Sequence, residues 1–149
     1  PSRDQPLYTV PLVWTPVLAS TLCLVVVAGA QVSLLPAHFL LGMLVWTVIE
    51  YVMHRCLFHS NALVVDHPIG IGAHFLLHGA HHLLPQHTDR LLFPPLMGVF
   101  AAAVLFLPFH RLFSYAFGLG TPDFAVVYTG AVLGFIVYDV LHFCIHHCT

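Results

Sequence analysis

Apolar residues run in long blocks along this chain, and polar residues gather where the blocks end. Between Asp4 and Glu50 no side chain is ionised. That length holds two membrane spans of about 20 residues each, with a turn between them. The turn falls at Gln31-Val32-Ser33-Leu34-Leu35-Pro36, so the pattern predicts spans over roughly 8–30 and 36–57. A third uncharged block covers roughly 91–109 and a fourth apolar block roughly 124–145. Gly118-Leu119-Gly120-Thr121-Pro122 parts them with turn-forming residues. Pro11, Pro16, Pro94 and Pro95 lie near span ends, where membrane helices tolerate them. The expected fold is all-α: four transmembrane helices in two hairpins, with the segment 58–90 forming a helical cap between them. A secretory signal peptide is a rival for the first block. Its apolar core would be only about 7–15 residues behind a basic flank, whereas here the block is longer and follows Arg3-Asp4.

Composition explains why these blocks are read as membrane spans. The chain has 149 residues, of which 59% are hydrophobic and 7% charged, and its mean hydropathy is +0.91. Soluble domains carry about 25% charged residues, so lipid is the expected solvent. Intrinsic disorder needs low hydrophobicity and high charge. Nucleic-acid binding needs a basic surface, which four Arg at net charge −2 do not make. Against so few charges stand 13 His. Four alternating spans place His54, His59, the cap histidines (His67, His74, His78, His81, His82, His87) and His142, His146 and His147 on one membrane side. Only His38 and His110 fall opposite. Arg3, Arg55 and Arg90 share the His side and Arg111 does not, so the positive-inside tendency makes the His side cytoplasmic.

Three clusters carry chemistry. Glu50 and His54 share a helix face at i,i+4. His54 and His59 lie five apart, about 140° around an α-helix, so they serve different metals or need the helix to end between them. His74, His78, His81 and His82 follow i, i+4, i+7, i+8, a single face. His142 and His146 pair at i,i+4, and Asp139 is placed to orient a ligand imidazole. Polar groups at the end of an apolar span are costly in lipid, so function is their default reading. The four Cys form no paired framework, although Cys144 and Cys148 flank His146 and His147 and leave a thiolate-bearing zinc site open. His67 and His87 read as ordinary loop residues, and His38 and His110 as interfacial ones. Eight or more imidazoles exceed the four that one tetrahedral site uses, which makes two metals the economical reading. Beside a lipid phase, an all-His dimetal site suits O₂ activation by two irons, because C–H oxidation needs redox chemistry that side chains lack.

The run from Glu50 to His147 resembles the membrane fatty acid hydroxylase superfamily, and within it the fatty acid 2-hydroxylases. The resemblance is carried by Glu50-Tyr51 with His54-Arg55 and Phe58-His59; by His74-Phe75-Leu76-Leu77-His78-Gly79 with His81-His82; by Pro85, Arg90-Leu91 and Pro94-Pro95; and by Tyr138-Asp139 with His142-Phe143 and His146-His147. It implies a membrane domain with a cytosolic cap at the endoplasmic reticulum. The implied activity is 2-hydroxylation of long acyl chains destined for or carried in ceramide. Electrons would come from NAD(P)H through cytochrome b5 and its reductase. By motif match, the metal ligands would be His54, His59, His78, His81, His82, His142 and His146. Fe²⁺ is expected, and Zn²⁺ fits the same imidazoles. Glu50, His74, Tyr138, Asp139, His147 and Arg90 would support the ligands or meet substrate.

The sequence departs from that pattern in two ways. Family members continue with a further His-x-x-His-His, so this chain is expected to be one hydroxylase domain truncated at both ends, holding metal poorly or inactive. Family members also tend to carry Asp where His87 stands here. The alternatives are a non-catalytic homologue, a b-type haem protein with two axial His, and a His-rich metal transporter, whose ligands would lie near the bilayer midplane.

Overall fold

Proline and glycine set the ends of four long helices. The computed structural model describes residues 6–60 and 66–147, the side chains of residues 77, 89 and 90 excepted. Helix α1 spans Thr9–Val27 and stops before Gly29, whose φ of 92° only glycine adopts freely. A short 3₁₀ turn, Val32–Leu34, leads into α2, Leu35–Val52, with Pro36 in its first turn. A π turn over Met53–Phe58 then prolongs α2. The cap contains α3 (Pro68–His74), a second π turn (Phe75–Gly79), α4 (Ala80–Leu83) and α5 (Thr88–Leu91). His67 caps α3, its Nδ1 accepting the Ile69 N–H at 3.3 Å. Helix α6 covers Pro95–Phe117 and ends on Gly118 in the left-handed region. Helix α7 covers Thr121–His147.

The third span thus starts later and runs further than its charge pattern predicts. Pro94 is extended and Pro95 occupies the first turn, so the helix cannot begin at Leu91. Leu91 instead closes α5 of the cap, and both it and Leu92 are buried. At the other end Pro108, His110 and Arg111 all remain helical, because nothing there forces the chain to turn before Gly118.

Helix α7 is the centre of the bundle, packing chiefly on α2 and also on α1 and α6. Small residues set the α2–α7 approach. A Cβ on Gly42 would overlap the Val127 carbonyl, and one on Gly130 the Phe39 carbonyl. Trp14, 2% exposed, gathers Val10, Leu92 and Ile136 into a core beneath the cap. At the opposite end Val25, Ala30, Ala125 and Val126 form a second core. There the Gln31 N–H donates to Asp123 Oδ1 at 3.2 Å, and His38 lies 3.7 Å from the same oxygen. His110 meets Thr121.

Among the described residues, four helices are long and apolar enough to cross a membrane: Thr9–Val27, Val32–Phe58, Pro95–Phe117 and Thr121–His147. Their outer faces carry exposed Leu12, Leu24, Leu40, Leu44, Phe100 and Val104. Such a surface suits hydrocarbon rather than water, and the chain is a multi-pass membrane protein.

Candidate metal centre

The end of α2 turns by the wider π spacing, and this places the first pair of histidines. The His59 N–H donates to the His54 carbonyl at 3.1 Å, an i→i+5 bond. Residues five apart, which an α-helix would set about 140° from each other, are thereby brought side by side. The Nε2 atoms of His54 and His59 lie 3.0 Å apart. The helix does not have to end between them, and both face one site.

The cap supplies the next members. His78 Nε2 is 3.3 Å from His59 Nε2 and 2.9 Å from His82 Nε2. Close Nε2 contacts therefore run in a chain from His54 through His59 and His78 to His82. A neutral imidazole nitrogen offers either one proton or one lone pair. The Nε2 atoms of His59 and His78 each face two others, so hydrogen bonds alone cannot satisfy the group. A cation shared by His54, His59 and His78 would take up their lone pairs, with His82 beside them. Nitrogens bound tetrahedrally at about 2.0–2.1 Å lie about 3.3 Å apart, close to the observed spacing. The donor atoms of His54, His59 and His78 all fall within 4.8 Å of one another.

A second group stands beside the first. Donor atoms of His81, His142 and His146 also lie within 4.8 Å of one another. The His81 ring is 4.7 Å from that of His142 and 4.9 Å from that of His146. His81 Nδ1 is buried without a hydrogen-bond partner among the described residues, the kind of orphaned atom a metal would take up. Because His81 and His82 are consecutive, α4 feeds both groups. Burial, reinforced by neighbouring imidazoles, holds His78 down at about 3 and lowers His81 and His82 as well. These rings therefore stay neutral at physiological pH and keep lone pairs to offer.

The other residues singled out in the sequence stand around the groups. His74 leaves its expected face-mates, because the π turn rotates it away, and donates to the Phe58 carbonyl at 2.8 Å. His147 stacks on Phe143 and faces the carbonyls of Phe143 and Gln86, which ties α7 to the cap. Asp139, 4% exposed, accepts the Phe93 N–H at 3.2 Å. Tyr138 Oη lies 3.3 Å and Glu50 Oε1 3.7 Å from His54 Nδ1. The side chain of Arg90 and all of Cys148 lie outside the described residues.

The groove below the histidines carried no signal in the sequence, and the motif that includes Phe58 gave no hint of what its ring does. The Phe58 ring stacks on His78 at 4.9 Å, backing the imidazole with an apolar surface. A groove of about 230 Å³ runs between α2 and α7, walled by Met43, Trp46, Val137 and Leu141, with Glu50 and Tyr138 at the histidine end. The lining comes from two helices far apart in sequence, which no local pattern reveals. All seven histidines of the two groups sit at span ends or in the cap, not at the bilayer midplane where transporters bind their cargo.

No known family profile matches the chain. Among curated proteins, it is 36% identical over 149 residues to the ceramide very long chain fatty acid hydroxylase scs7 of Schizosaccharomyces pombe, covering 99% of this chain and 40% of that one. It is 35% identical over 141 residues to the dihydroceramide fatty acyl 2-hydroxylase FAH1 of Arabidopsis thaliana, covering 94% of this chain and 55% of that one. It is 30% identical over 157 residues to the human fatty acid 2-hydroxylase, covering 93% of this chain and 40% of that one. Among solved structures, full-length scs7p, with only its hydroxylase domain visible, aligns at a TM-score of 0.79 and 33% identity, over 97% of this chain and 52% of that one. The chain spans about half the length of the curated relatives it matches.

Proposed function

The chain belongs to the fatty acid 2-hydroxylases, and on that premise we propose that it is a membrane oxygenase that hydroxylates C2 of long acyl chains for ceramide synthesis. The observation that carries this reading is the gathering of two groups of three imidazoles, with His82 beside the first, at the end of an apolar groove. His54, His59, His78 and His82 would hold one metal ion, and His81, His142 and His146 a second. Two such ions, iron by the demands of the chemistry, supply the O₂-dependent oxidation of an unactivated C–H bond that no side chain performs. Zinc fits the same donors, so the imidazoles do not fix the metal.

The protein's own part is placement. Apolar walls of the groove bind an acyl chain by burying its methylenes, worth about 0.8 kcal/mol each. The groove ends beside Glu50 and Tyr138, one helical turn below His54 on α2 and His142 on α7. A chain lying there presents its polar end to the histidines and keeps its tail in the lipid-like interior. Phe58, stacked on His78, shields that imidazole from water, while His59 and His82 stay exposed.

We assign the 149 residues to one hydroxylase domain, the membrane to the endoplasmic reticulum, and the histidine face to the cytoplasm. Three of the four Arg on that side support the orientation. Cytochrome b5, reduced from NAD(P)H by its reductase, is the electron donor in this reading. The test is to express a full-length form of the protein in cells lacking 2-hydroxylated sphingolipids and to analyse their acyl chains by mass spectrometry. 2-Hydroxy chains are expected with the wild type and none with His78→Ala or His82→Ala. Undiminished product from either variant refutes the assignment.

A further inference from the structure

His54 differs from its neighbours in what stands behind it. Its Nε2 points inward, 3.0 Å from His59 Nε2. Its Nδ1 points outward, with the Tyr138 hydroxyl at 3.3 Å and a Glu50 carboxylate oxygen at 3.7 Å. A neutral imidazole carries one proton, on one nitrogen or the other. To offer the Nε2 lone pair inward, His54 must carry its proton on Nδ1, and that N–H needs an acceptor. The Tyr138 oxygen is in range to accept it, and the Glu50 carboxylate adds negative charge on the same side. The opposite tautomer would turn an Nδ1 lone pair toward the carboxylate and leave no Nε2 lone pair to offer a cation. Tyr138 comes from α7 and Glu50 from α2, and together they form the polar end of an otherwise apolar groove. His81 Nδ1, by contrast, has no hydrogen-bond partner among the described residues.

We infer that Tyr138 and Glu50 are positioning residues that fix the His54 tautomer and aim its Nε2 into the first histidine group. The inference rests on the metal-centre reading above. Partners of this kind behind a ligand imidazole raise metal affinity about 10–100-fold.

The two groups allow a test that a loss of fold would not imitate. The 149-residue chain in lipid nanodiscs is titrated with Co²⁺ against a competing chelator, following the absorption of the bound ion. The wild type gives two binding phases, and His142→Ala removes the one belonging to the second group. Tyr138→Phe and Glu50→Ala are expected to weaken the first phase about 10–100-fold while leaving the second unchanged. Glu50→Gln, which keeps an oxygen but not the charge, gives a smaller loss. In ¹⁵N spectra of metal-free protein, His54 is the Nδ1–H tautomer in the wild type and a mixture in Tyr138→Phe. An unchanged first phase in both Tyr138→Phe and Glu50→Ala overturns the inference and leaves the metal centre standing. Equal weakening of both phases also overturns it, since the residues would then act only through α2–α7 packing. Failure of the wild type to bind Co²⁺ at either group overturns the metal-centre reading itself.

Discussion

Asp139 sits three residues before His142, and its sequence position suggests a partner for a ligand imidazole. Its hydrogen bond goes instead to the Phe93 N–H, 46 residues earlier in the chain. The carboxylate thereby joins α7 to the segment where the cap hands over to α6. Asp139→Ala leaves that N–H without its acceptor and is expected to lower stability by about 1–3 kcal/mol. Asp139→Asn keeps an oxygen at the same place and should lose less. Thermal unfolding in detergent measures both, and equal losses would show that Phe93 is not what Asp139 serves. The sequence identified Asp139 as a residue with a role, because an acid in an apolar span is costly. It could not reveal the partner, since a backbone N–H looks the same at every position. His54 and His59 pose a similar problem. Their spacing of five is a mismatch for an α-helix, and only the i→i+5 turn makes it a match.

Elements were more legible than their contacts. The uncharged blocks located four long helices, and the turn residues at Gly118-Leu119-Gly120 located the second hairpin. The interface between α2 and α7 was not visible, because Gly42 and Gly130 are unremarkable glycines until the opposing carbonyls are seen against them. Both histidine groups depend on that interface, as the π turn that prolongs α2 carries His54 and α7 carries His142 and His146. Gly130→Val forces a side chain onto the Phe39 carbonyl, so the helices must separate. The cost of such overpacking is about 1–3 kcal/mol or more, and metal uptake by both groups should fall together. Gly72, in α3, meets nothing among the described residues. Gly72→Ala replaces a poor helix former and should raise stability by about 0.5–1 kcal/mol without changing metal uptake. Unfolding curves and bound-metal analysis of the two variants check the pair. Normal metal uptake by Gly130→Val would show that the close helix approach does not position the histidines.

At the scale of the whole molecule, three separate pieces converge at one end of the bundle: the end of α2, the cap, and the end of α7. Charge and parity were enough to bring eleven of the 13 histidines to that side. Sorting them into groups required the fold, since one group joins α2 to the cap and the other joins the cap to α7. The cap is otherwise fastened to the helices at points such as His74 to Phe58, His147 to Gln86 and Phe93 to Asp139. A metal held by both groups would cross-link all three pieces, so binding should stabilise the cap far more than the lipid-facing helices. At a free metal concentration 100 times its Kd the gain is about 2.7 kcal/mol for one site. Amide hydrogen exchange in nanodiscs should therefore slow over 66–93 on adding metal and recover with chelator, while α1 and the middle of α6 change little. Uniform slowing along the chain would mean that the metal acts on the bundle as a whole. No slowing in the cap would mean that the imidazoles, although gathered, do not clamp it.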